Sequence, residues 1–257
     1  MKKLGGCLII LALNAVLAPS AWAHKNCWFQ FFGVNNYTVC VSQHGNITWL
    51  GPSLPPSDEP TFIYHEGYGI SLYDPEHKNC AYDFGPIEGG TGPYNGFDPD
   101  PVNSAWKLGN VIIVTRTFGT LAGQVKLEQY IHWLSDIPEV RIFMVLTNYS
   151  DKGKSIALHR AIARGPTGPA SYAERSVFSW GRDYSHGVAL TEMTPQDLIG
   201  SKDTFLAGLS HPDTGWITNS CASMKPAPDN RAGGYFSYSV ELGPFESKTR
   251  IIRYRPF

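Results

Sequence analysis

Apolar residues recur in this chain with a period of two, and no stretch carries an apolar stripe at helical spacing over three turns. That pattern commits the chain to strands, because successive side chains of a strand point to opposite faces. From Gln124 to Trp133, Val125, Leu127, Ile131 and Trp133 fall on one face, and Lys126, Glu128 and His132 on the other. Val140, Ile142, Met144 and Leu146 form the apolar face of the next strand. Its second face carries Arg141, Phe143, Val145 and Thr147, which predicts that this face is covered too, as in a central strand. Val111–Phe118 precedes these segments. Ser155–Ala163 follows them after the polar turn Asn148–Gly153. Four consecutive strands with short connections predict an antiparallel meander.

The C-terminal region repeats the alternation. Phe236, Tyr238, Val240 and Leu242 alternate with Tyr235, Ser237, Ser239 and Glu241; Gly243-Pro244-Phe245-Glu246 then interrupts, and Arg250–Arg255 closes. A leucine, a Pro-containing turn, an acidic residue and a closing strand resemble the last hairpin of many exported bacterial β-sandwich modules, a resemblance that implies fold and carries no activity. Long Gly/Pro-rich stretches separate the periodic segments: 51–60, 85–103, 165–176 and 226–234. Loops of that length in a compact domain usually have a function of their own. The expected architecture is all-β: a large, meander-rich antiparallel sandwich of two sheets with long Gly/Pro loops. It forms a single domain over 24–257, the alternative being two small sandwiches that meet near residue 105.

The first 23 residues read as a secretory leader. Met1-Lys2-Lys3 gives a basic start, Cys7–Leu17 an apolar run, and Ala21-Trp22-Ala23 a cleavage site. The run falls short of the ~20 residues that span a bilayer, and no later segment reaches that length. The Leu4-Gly5-Gly6-Cys7 box resembles a lipidation signal but precedes the apolar run instead of following it. The mature chain is therefore expected to start at His24, exported to the periplasm or the extracellular space, with no transmembrane segment. Removing the leader takes Lys2 and Lys3 from 21 basic residues, leaving 19 against 22 acidic ones, and no run of Lys or Arg exceeds two. Nucleic acid, which requires a concentrated basic face, is excluded as a partner. A terminal Phe257 is a feature of outer-membrane barrels. Arg255 and Pro256 break the apolar alternation such tails carry, and the long loops do not suit a barrel of ten-residue spans.

Four cysteines remain in an oxidising compartment, Cys27, Cys40, Cys80 and Cys221, and an even count there predicts two disulfides. Three pairings exist. Cys27 and Cys40 flank a hairpin-like unit, Trp28–Gly33 and Tyr37–Val41, with Asn35-Asn36 suited to the turn. Bridging there leaves Cys80 for Cys221. No pair has the C-x-x-C spacing of a metal site.

Signatures of hydrolases, zinc proteases, P-loop and dinucleotide-binding proteins are missing. Four weaker constellations remain. His24, if it is the mature N-terminus, could chelate copper through its amine and imidazole; in that one feature the start is similar to copper oxidases of the histidine-brace type. Asn95, Asp98 and Asp100 offer hard oxygen donors suited to calcium, although turn chemistry selects the same residues. No cofactor is expected, with calcium at these oxygens as the alternative. Aromatic side chains crowd in and beside the loops: Trp49, Tyr64, Tyr68, Tyr94, Phe97, Trp106, Trp180 and Tyr184. Aromatics of 13% supply such stacking platforms for sugar rings as well as a core. Of these, Trp106, Trp49, Tyr94 and Phe97 are the candidate ligand contacts, with Trp106 the first choice for a platform and Trp133 assigned to the core. Finally, acids and histidines neighbour one another at His65-Glu66, Asp74-Pro75-Glu76-His77, Arg182-Asp183-Tyr184-Ser185-His186 and His211-Pro212-Asp213. Arg182, Asp183 and His186 are the candidate catalytic set, since a glycosidase or lyase needs paired acids and bases. The expected role is non-catalytic binding of carbohydrate or another envelope or extracellular component, with a glycan or an envelope protein as partner. A carbohydrate-active hydrolase, lyase or epimerase is the alternative, and a copper protein using His24 a minor one.

Overall fold

The computed structural model describes residues 27–33, 36–52, 65–72, 79–84, 104–118, 125–163, 170–180, 187–210 and 233–257. In chain order the strands begin with β1 (Phe29–Phe32), β2 (Tyr37–Val41), β3 (Ile47–Pro52), β4 (His65–Leu72) and β5 (Asn79–Phe84). Then come β6 (Ser104–Leu108), β7 (Val111–Phe118), β8 (Val125–Leu134), β9 (Glu139–Asn148) and β10 (Lys154–Ala163). The remainder are β11 (Ala170–Ala173), β12 (Ser176–Trp180), β13 (Gly187–Glu192), β14 (Thr204–Ser210), β15 (Gly233–Leu242) and β16 (Ser247–Pro256).

The strands form an eight-stranded sheet, β11-β12-β13-β16-β9-β8-β7-β6, a five-stranded sheet, β14-β15-β10-β4-β5, and a three-stranded sheet, β1-β2-β3. The paired strands run antiparallel, as the alternation requires. Leu127, Ile131, Ile142, Met144 and Ile252 of the large sheet meet Ile156, Leu158, Ile162, Phe236 and Val240 of the five-stranded sheet in one buried cluster. The architecture is thus an antiparallel sandwich. Phe31, Val39, Val41, Ile47 and Leu50 of the small sheet join the same cluster. Among the described residues no helix is long and apolar enough to cross a membrane.

Two expectations about connectivity require correction. The meander over Val111–Ala163 breaks after β9, because β10 pairs with β4 and β15 in the other sheet. The closing segment is likewise not a hairpin, since β15 lies in the five-stranded sheet and β16 in the large one. The two turns are corners that cross between sheets side by side, and buried Asn148 holds them together. Its backbone N–H donates to Glu246 O at 2.9 Å, and its side-chain amide donates to Lys152 O at 2.7 Å and Gly243 O at 2.9 Å. Its Oδ1 accepts from the Ser150 N–H and hydroxyl. A residue read from sequence as the start of a turn therefore supplies the donors and the acceptor that neighbouring corner backbone and Ser150 need. Two further departures are local. The stretch 165–176 contains strand β11, and the second face of β9 is only partly covered.

Cys27 and Cys40 form the expected bridge, with Cα atoms 4.9 Å apart, and Asn36 takes the left-handed conformation (φ 59°) at the turn they flank. Cys221 and the side chain of Cys80 lie outside the described residues. The Cys27–Cys40 bridge closes a segment of 13 residues. A Cys27→Ser, Cys40→Ser double variant should accordingly lose about 3 kcal/mol, measured by denaturant unfolding.

Candidate functional site

Three kinds of chemistry stand out in the fold: an ion-pair network inside the sandwich, a buried histidine on the five-stranded sheet, and a patterned open face on the large sheet.

The internal network centres on Arg160 of β10. Its guanidinium bonds Glu66 of β4 at 2.6 Å, the Tyr254 hydroxyl of β16 at 2.7 Å, Gly45 O at 3.2 Å, and Gln129 Oε1 of β8. Glu66 also accepts from the Tyr254 hydroxyl at 2.6 Å and from the Ile47 N–H at 2.8 Å. Burial is the largest influence on Arg160 and works against its charge, but the Glu66 carboxylate, Tyr254 and Tyr68 together outweigh it and hold the group protonated. Burial likewise pushes the Tyr254 hydroxyl far up, so it stays a donor. Arg160 and Glu66 are sealed from solvent. The network ties β4 and β10 of one sheet to β8 and β16 of the other and leaves no opening for a substrate. Glu66, one of the sequence's His/acid neighbours, is thereby explained as architecture.

His159, the next residue on β10, points to the opposite face of its sheet, beside Gly69 and Ser237 in register. It is 5% exposed, and its Nδ1 has no hydrogen-bond partner. Burial pushes the imidazole down to about 4. The unfolded chain takes up a proton near pH 6.5 and the folded chain does not until pH falls to about 4. Stability present in full above 6.5 is therefore lost as pH falls through that window, by up to about 3 kcal/mol. Urea unfolding between pH 7 and 4 should show this loss, and His159→Leu should remove its share of the slope.

The open face belongs to the large sheet. Along most of β7, β8, β9 and β16 buried side chains alternate with partly exposed ones on the outer face, Thr117 and Glu139 being buried exceptions on that face. Strand register arranges these in rows. One row runs Trp106–Ile113–Tyr130–Phe143–Ile251 across β6, β7, β8, β9 and β16. Beside it runs Val111–His132–Arg141–Arg253–Thr191. On the other side lies Thr115–Glu128–Val145–Thr249. Val111, Tyr130, His132, Phe143, Val145 and Thr249 line a groove of about 390 Å³ over the middle of these rows. That volume falls in the range of roughly 300–1,000 Å³ typical of small-molecule clefts.

Polar groups border the apolar floor. The Asn110 side-chain amide nitrogen lies 2.7 Å from His132 Nε2. Glu128 pairs with Lys126 at 2.9 Å, and Glu139 with Arg141 at 2.6 Å. The floor can thus stack against a flat apolar surface, while its margins donate and accept hydrogen bonds.

Of the aromatic residues proposed from sequence, Trp106 sits on this face and is 47% exposed. Trp49 is a correction. At 6% exposure it is buried on β3, opposite Cys40, and offers no open ring to a ligand. Tyr68 is buried too, with its hydroxyl donating to His44 O at 2.6 Å. Tyr94, Phe97, Asn95, Asp98, Asp100, Arg182, Asp183, His186 and His24 lie outside the described residues. Among the described residues no three metal-ligating side chains gather. Sequence reasoning missed Tyr130, Phe143, Arg141 and Arg253. The signal was present in β9, whose second face mixes Arg, Phe, Val and Thr.

No family model matches the chain, and no curated protein matches it. Among solved structures it is similar to a putative aldose 1-epimerase from Escherichia coli K12, with 8% identity and a TM-score of 0.47 over 89% of this chain and 99% of that one. It is also similar to a galactose mutarotase-like protein from Clostridium acetobutylicum, with 8% identity and a TM-score of 0.41 over 89% and 94%. A third similarity is to heparan sulfate lyase from Pedobacter heparinus, with 8% identity and a TM-score of 0.36 over 60% of this chain and 21% of the lyase, about a fifth of its length. At these identities the activities in those names do not transfer to this chain.

Proposed function

We propose that this protein is an exported carbohydrate-binding protein that holds a sugar chain, without turning it over, on the outer face of the eight-stranded sheet. The observation that supports this reading is the row Trp106–Ile113–Tyr130–Phe143–Ile251, half-exposed and flanked by polar rows. The C–H faces of a pyranose suit aromatic rings, and its hydroxyls suit mixed donors and acceptors at the margin. Glu128 and Glu139 each sit against a cation, an arrangement that serves binding better than proton transfer.

Calorimetric titration of a panel of oligosaccharides, run beside a reducing-sugar release assay, tests the reading. Saturable binding without release is expected. Trp106→Ala and Tyr130→Ala should each weaken it by about tenfold or more, as truncation of an aromatic anchor does. Unchanged affinity in both variants sinks the site, and release of reducing ends replaces binding with catalysis.

A further inference from the structure

Resting on the carbohydrate reading, we infer that the sugar bound on this face is acidic, and that Arg253 and Arg141 hold its carboxylate or sulfate. The two arginines are direct cross-strand partners on β16 and β9. Side chains so placed have Cβ atoms about 4.5–5.5 Å apart, and like charges there repel. Arg141 satisfies one nitrogen with Glu139, but its side chain remains 41% exposed, so the rest of its fork is open to a ligand. Arg253 is less provided for. One terminal nitrogen reaches the Thr191 hydroxyl only at 3.5 Å, and its enclosed Nε has no hydrogen-bond partner. A charged donor withdrawn from water and left unpaired is unfavourable, which makes this guanidinium short of partners, and an anion between the two arginines would offset their repulsion through charge-assisted bonds to their terminal nitrogens.

The position of the pair fits a substituent on a stacked ring. Arg141 and Arg253 each stand two residues along their strands from Phe143 and Ile251 of the aromatic row, about 7 Å away. A pyranose seated on that row directs an exocyclic carboxylate or sulfate at them. Charge is also distributed unevenly across the groove. The arginines lie along one margin, while on the other Glu128 is matched by Lys126. A neutral sugar has no use for that asymmetry.

The test uses matched hexasaccharides, each acidic chain beside its uncharged form: oligogalacturonate and its methyl ester, hyaluronan fragments and their methyl ester, sulfated and unsulfated galactan. At least one acidic member should bind the wild-type protein about tenfold or more tighter than its uncharged twin, the effect of one charge-assisted contact. The pair in which this appears tells carboxylate from sulfate. Arg253→Gln should abolish the preference, so that the acidic and uncharged twins bind this variant within about twofold of each other, with Arg141→Gln as a second variant and melting temperature as the control on folding. Equal affinity for acidic and uncharged twins overturns the inference and leaves the carbohydrate reading standing. A preference that survives in both variants, or equally tight binding of inorganic polyphosphate, also overturns it. Trp106→Ala should weaken both members of a pair alike. If no member binds at all, the carbohydrate reading falls together with the inference.

Discussion

Glu66→Ala should destabilise the protein by about 3–5 kcal/mol, one of the two largest effects expected of any single substitution here. The loss does not measure the strength of the ion pair. It arises because the variant leaves the Arg160 guanidinium inside the sandwich with no countercharge, and a guanidinium does not escape by losing its proton. The Tyr254 hydroxyl and the Ile47 N–H lose an acceptor at the same time. A double variant, Glu66→Gln with Arg160→Met, should recover most of the stability, since replacing both ions with groups of similar volume removes the uncompensated charge. Guanidinium unfolding of the two variants decides the matter. A Glu66→Ala loss below about 1 kcal/mol would show that water reaches the network.

The second large effect is Trp133→Ala, expected to cost about 3–5 kcal/mol against a small change for Trp106→Ala. Trp133 is 2% exposed, and its Nε1 donates to Phe32 O at 3.3 Å, so the ring fastens the small sheet to the large one. The fit is close. A Cβ added at Gly33 would stand 2.3 Å from Cζ2 of the indole, which explains why a glycine follows β1. Trp106, on the edge strand β6, is 47% exposed and gives up far less buried surface than Trp133 when truncated. Thermal melts of the two variants separate them, and equal losses would mean that Trp106 is core and no platform.

Much of this fold is legible in residue order. Alternation over Val125–Trp133 and Val140–Leu146 places their buried faces correctly, because one face of each strand enters a core and the period of two records it. The hairpin at Asn36 and its bridge are equally local. What the sequence hides is partnership. Nothing in Asn148–Gly153 distinguishes a turn that returns the chain to its neighbour from a corner that sends it to the opposite sheet. Strand β4 is obscured by Gly67 and Gly69, which weaken the pattern that would announce it. The site suffers most. Trp106, Tyr130, Phe143 and Arg253 come from segments up to about 150 residues apart, and only register sets them side by side. Single-strand patterns show that the second face of β9 is mixed, and reading such a mixture as covered misses a partly open face.

The position of β16 carries a consequence for when this protein can fold. Ser247–Pro256 lies between β13 and β9, near the middle of the large sheet, and Ser247 pairs with Thr147 a hundred residues earlier. Until those ten residues are available the sheet exists as two unjoined halves, and Tyr254 is missing from the Arg160 network. Pairings this distant are slow, because the loop must close before the contact is gained. The ribosome therefore delivers the strand that joins the two halves of the large sheet after every other described strand, and its pairings with β13 and β9 cannot form before then.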